Sequence, residues 1–213
     1  MKKIREFIGS DMFNHIAMSG PDIANFFDPS VVQSAEEKLS YAKGIICVYP
    51  YMMLGNYCSW KFGDEPAPRN YEEFKNDSMP ALQKKIFPML EKCFNDSRPI
   101  TGTERAEIMI PIFTDIVPFH VLPGFYNYMY GNTKGAKDIR EWVDANRPTM
   151  ISLLGGVILK AVYDETKPMD YHAKTEVFLF IATRMPYLLL KKYYDWHFGA
   201  EVVEMGPPPG EHK

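Results

Sequence analysis

The chain has 213 residues, 46% of them hydrophobic and 24% charged, with a net charge of -3. A chain of that length buries one substantial core, and the near-neutral charge supplies no electrostatic drive toward nucleic acid. Its three cysteines, Cys47, Cys58 and Cys93, form no close pair and leave an odd count, which disfavours both a disulfide framework and a zinc finger and fits a reducing compartment.

Residues 2–8 (KKIREFI) suit a first strand or short helix. The basic start is followed by Asp11, Asn14 and His15, which break the apolar stretch a secretory signal needs, so a cytoplasmic protein is expected. Asp28-Pro29-Ser30 signals a helix start, with a helix over 31–42 ended by Gly44. The run IICVY at 45–49, bounded by Gly44 and Pro50, has the form of a strand buried on both faces of a parallel sheet. Residues 57–78 are polar, acidic and proline-broken, and read as a surface excursion or lid.

Helical periodicity resumes over 80–94, with a kink expected at Pro88. Residues 108–113 form a candidate edge strand, 137–146 a short helix, 149–154 another strand and 157–163 a helix. The carboxyl end reads as strand (176–183), helix (186–198) and strand (200–205), and 207–213 as a disordered tail. No internal repeat is evident, and no window near 108–130 gives an uninterrupted apolar membrane span.

These elements predict a single α/β domain over 1–206 with an open, mostly parallel sheet and helices on both faces. The rival is an all-α bundle in which the long apolar segments are helices. Prolines 50, 111, 118, 123 and 186 weigh against it, since an interior proline costs a helix roughly 3 kcal/mol.

The stretch SAEEKLSYAKGIICVYPYMMLGN, followed by SMPALQKKIFPML, resembles the flavodoxin-like NAD(P)H-dependent FMN reductases and quinone reductases. The resemblance implies that Pro50, Tyr51, Met52 and Met53 lie against the flavin ring. It also places Ser10 and Asn14 of GSDMFNHI at the FMN phosphate, and Thr183, Arg184 and Met185 in a second ring-binding loop. It implies FMN as cofactor and hydride transfer from NAD(P)H to a small acceptor. The match covers under half the chain, and 95–175 show none. Two other functions stand beside it: a non-enzymatic or regulatory α/β protein that has lost its cofactor, and an all-helical protein enclosing an apolar ligand. A small-molecule substrate is expected as partner, with no nucleic acid or membrane span and a homodimer left open.

Other candidate chemistry is sparse. His172 and Glu176, and Glu104 and Glu107, lack the further ligands a metal needs. His120 reads as a hydrogen-bonded core histidine or a proton donor beside a pocket, Cys47 as inert core, and Gly155-Gly156 as a close-packing site or a phosphate cradle. Thirteen methionines and an aromatic fraction of 14% suit either an adaptable core or an apolar pocket lining.

Overall fold

The computed structural model describes residues 3–200, and among them there are six long helices and no strand. These are α1 (Ile4–Phe27), α2 (35–62), α3 (Tyr71–Cys93), α4 (Gly102–Tyr130), α5 (139–162) and α6 (171–198). About 79% of the chain is helical. The α/β, flavodoxin-like expectation is therefore overturned and the all-helical rival holds. The stretches read as strands at 45–49, 108–113, 149–154 and 176–183 all lie inside helices. The expected lid at 57–78 shrinks to the loop 63–70, because α2 runs on to Phe62 and α3 begins at Tyr71. Residues 201–205, read as a final strand, and the tail at 207–213 fall outside the described residues.

The prolines mislead for a definite reason. Proline removes one N–H and pushes against the carbonyl four residues back, which an uninterrupted α-helix cannot absorb. Here π-helical turns at Gly44–Val48, Ile112–Ile116 and Phe180–Arg184 each lead into Pro50, Pro118 and Pro186 in the first turn of the following α-segment. The wider i→i+5 turn inserts one residue and relieves that clash, so the helix bends and continues. The strand-like run IICVY, with its Gly and Pro boundaries, is largely the first of these turns.

Those three turns recur at intervals of 68 residues, and so do the prolines. The chain does contain an internal repeat, contrary to the sequence reading. PYMMLGNYCSWKFG (50–63), PFHVLPGFYNYMYG (118–131) and PYLLLKKYYDWHFG (186–199) align without a gap, each ending on the glycine that stops its helix. The first helices of the hairpins open in the same way with IREF (4–7), YEEF (71–74) and IREW (139–142). Three helical hairpins, α1–α2, α3–α4 and α5–α6, thus follow one another along the chain.

The hairpins close into a ring with approximate threefold symmetry. Each first helix packs on the second helix of the preceding hairpin: α3 on α2, α5 on α4, and α1 on α6. Inside each hairpin one aromatic pair recurs edge to face. Phe7 meets Tyr57 at 6.1 Å, Phe74 meets Phe125 at 5.7 Å, and Trp142 meets Tyr193 at 6.4 Å. Tyr57, Phe125 and Tyr193 hold equivalent places in α2, α4 and α6, all fully buried, and Phe125 touches the other two rings. Together with Leu54, Leu122 and Leu190 they fill one half of the axis, and burial of such side chains is the main stabilising contribution.

Polar clamps join neighbouring hairpins. Tyr187 on α6 donates to Asp11 on α1 (2.6 Å) and contacts His15 Nδ1, while Asn56 on α2 donates to the other Asp11 oxygen at 2.8 Å. At the equivalent positions Tyr51 on α2 bonds Ser78 on α3 (2.8 Å), with His120 of α4 at 3.2 Å from the same hydroxyl. The third position pairs Phe119 with Asn146, which instead donates to the Trp142 carbonyl at 2.8 Å. Pairing of this kind lets buried polar groups occur inside a helical ring.

Candidate functional site: an axial cup

The ends of the helices differ. Ser34 and Thr101 cap α2 and α4 with Glu37 and Glu104 completing reciprocal capping boxes, and Asp170 caps α6. These caps fix the chain reversals at 28–34, 94–101 and 163–170, all at one end of the ring. A hydrogen bond of 2.7 Å from Gly102 N–H to Glu165 ties two of the reversals together. Gly102 is required there, because a Cβ would lie 2.4 Å from the Tyr163 carbonyl oxygen.

At that end the axis is open. A cavity of about 710 Å³ takes wall residues from all six helices, within the volume range of small-molecule sites. Its wall carries an arc of five phenylalanines. Phe94 meets Phe26 at 5.7 Å, Phe26 meets Phe27 at 4.9 Å, Phe27 meets Phe178 at 4.8 Å, and Phe178 meets Phe113 at 5.8 Å. Ile23, Met109 and Val162 add buried aliphatic surface.

The cup narrows along the axis. Ile45, Ile46, Phe113 and Ala182 line both it and a second, apolar space of about 60 Å³. Pro50, Pro118 and Pro186 surround this inner space with Met53, Val121 and Leu189, each trio drawn from equivalent positions of the three hairpins. Cup and inner space thus adjoin at the four shared wall residues.

The cup also carries a polar side. Lys38, Arg105 and Lys174 line it alongside Asp96 and Asp170, and Asp170 is engaged as the α6 cap. Buried Arg105 Nε and Gln33 Oε1 have no hydrogen-bond partner among the described residues. Burial raises the Tyr163 phenol above its ordinary range and pushes the Cys93 thiol up to about 11, with the nearby Arg105 charge opposing both. These two wall residues stay neutral at physiological pH.

The residues expected to hold FMN are scattered. Pro50, Met53 and Met185 do meet, at the inner apolar space. Tyr51 is buried in the clamp with Ser78, Met52 lines a separate outer groove, and Ser10, Asn14 and Arg184 are exposed. Thr183 turns back to the Leu179 carbonyl. Among the described residues no strand carries a ring-binding loop, so the flavodoxin-like reading and the FMN and NAD(P)H expectations built on it lose their scaffold.

Other candidates resolve as structural. Among the described residues no group of three or more His, Cys, Asp or Glu is placed to hold a metal. His120 bonds Ser78, and burial pushes the Cys47 thiol up to about 12. A Cβ on Gly155 would come 2.7 Å from Ile110, which makes that glycine a close-packing site. By length and composition α4 is apolar enough to cross a membrane, with a mean hydropathy of 1.5 over its most apolar stretch, and 44% of that stretch is buried.

Sequence reasoning missed Lys38, Arg105, Lys174 and the phenylalanine arc. One signal was present: Lys38 and Lys174 occupy equivalent positions of the first and third hairpins, which only the repeat makes visible. Comparison of the chain with protein-family models, with curated proteins and with solved structures finds no match.

Proposed function

We propose that this chain is a binding protein for an apolar small molecule, held in the cup on the ring axis. The observation that carries the reading is the cup itself. It is built by all six helices, walled by five phenylalanines, and adjoins a smaller apolar space with which it shares four apolar wall residues. A cavity of this kind gains free energy when apolar ligand surface replaces water against its wall, at about 25 cal/mol per Å².

A neutral fluorescent probe tests it. N-phenyl-1-naphthylamine brightens when it leaves water and carries no charge that would confuse the result. Wild type should bind it saturably. Ala182→Phe, which adds a ring where the cup meets the inner space, should weaken binding at least tenfold while far-ultraviolet circular dichroism stays helical. Undiminished binding by that variant would place the probe elsewhere and remove the reading.

A further inference from the structure

We infer that the ligand is an amphiphilic anion: an apolar chain seated along the axis with one carboxylate or phosphate head at Arg105, flanked by Lys38 and Lys174. The inference rests on the apolar-ligand reading and adds the chemistry of the head group.

Three observations carry it. The first is that the polar groups are segregated. The inner space is lined by Ile, Val, Leu, Met, Pro, Phe and Ala alone, and every charged side chain of the cavity lies in the outer cup. A ligand that fills both must be apolar at one end and polar at the other.

The second is an unanswered donor. Arg105 Nε is buried without a hydrogen-bond acceptor, although leaving a guanidinium N–H unpaired inside a protein is costly. Its planar fork matches a carboxylate or phosphate. A neutral acceptor can satisfy this donor, but only an anion also answers its charge.

The third is the balance of charge. Lys38, Arg105 and Lys174 have no ion-pair partner among the described residues, and all three line the same cup. Against the three cations stand Asp96 and Asp170. The Asp170 carboxylate already accepts the Ala173 N–H at 3.0 Å, and Asp96 is the other acid on the wall among the described residues, so three cations face two carboxylates. The excess favours a single negative head.

Calorimetric titration with decanoate and decanol, below their aggregation concentrations and at pH 7.5, separates the two claims. Wild type should bind decanoate at least tenfold more tightly than decanol. Arg105→Gln should erase that preference by weakening decanoate alone, and Lys38→Gln with Lys174→Gln should weaken decanoate severalfold if Arg105→Gln fails to fold. Equal affinities for the two compounds in wild type, or decanoate binding that survives the charge substitutions, would overturn the head-group assignment and leave the apolar-ligand reading standing. Absence of binding by both compounds would overturn the two together.

Discussion

The rings of Phe74 and Phe125 meet edge to face at 5.7 Å, and the same contact recurs between Phe7 and Tyr57 and between Trp142 and Tyr193. Phe125 also touches Tyr57 and Tyr193, so it links all three hairpins. Phe125→Ala should therefore cost about 3–5 kcal/mol, the upper range for core truncations. Chemical denaturation measures this directly, and a loss below about 1 kcal/mol would show that the axial aromatics are not the keystone of the ring.

Tyr57 gives the converse test. Its hydroxyl is buried with no partner among the described residues, and burial holds the phenol far above its ordinary range. Removing an unsatisfied buried hydroxyl relieves a desolvation penalty. Tyr57→Phe should be neutral or stabilising by up to about 1 kcal/mol, and a clear destabilisation would mean that the hydroxyl has a partner.

Two adjacent glycines should respond with opposite signs. Gly155→Ala would press a methyl to 2.7 Å from Ile110 and 3.3 Å from Thr114 across the α4–α5 contact, whereas at Gly156 the nearest such atom is 3.9 Å away. The first substitution should cost about 1–3 kcal/mol. The second should add about 0.5–1 kcal/mol, because alanine favours helix. Thermal melts of the pair check the packing of α5 against α4.

Stability should fall with pH in a window set by histidine. Burial lowers the His197 pKa to about 4, helped by Lys137 and Lys61, and burial also lowers that of His15 against the opposing pull of Asp11. A folded-state pKa below the unfolded value of about 6.5 means that the unfolded chain takes up the proton first as pH falls. The histidine contribution is thus complete above about pH 6.5 and is lost toward pH 4. Carboxylates with lowered pKa, such as Glu37, Glu104 and Asp138, lose theirs only below their ordinary range. His197→Phe keeps the aromatic contacts with Tyr126 and Tyr130 and should flatten the stability profile between pH 6.5 and 4.5. Parallel profiles for variant and wild type would refute the assignment.

Part of this architecture was legible from residues alone. Helical periodicity over 80–94, 137–146 and 186–198 falls almost wholly inside α3, α5 and α6, overrunning them only at 94 and 137–138, and Pro88 does sit within α3. The rest was hidden by physics that sequence patterns share. Helices whose several faces meet the ring axis or their neighbours are apolar nearly all round, so runs such as IICVY lack the polar stripe that marks a surface helix. Prolines 50, 118 and 186 looked like helix breakers because the π-helical turns that accommodate them leave no residue signature. The repeat itself lies in residue classes more than identities: within the three 14-residue segments only the proline, the leucine four positions on and the terminal glycine are the same throughout. The cup was out of reach because its wall gathers residues from 23 to 182, which only the closed ring brings together.

The most direct test of the axial site uses the chain's own methionines. With methyl-labelled methionine, Met109 and Met169 report on the cup, Met53, Met150 and Met185 on the inner space, Met18 and Met52 on outer surfaces, and buried Met129 on core that lines neither space. Saturating wild type with N-phenyl-1-naphthylamine should shift the Met109 and Met169 methyl resonances most, those of Met53, Met150 and Met185 next, and those of Met18, Met52 and Met129 least. Shifts concentrated at Met18 or Met52, with Met109 and Met185 unmoved, would contradict the axial site.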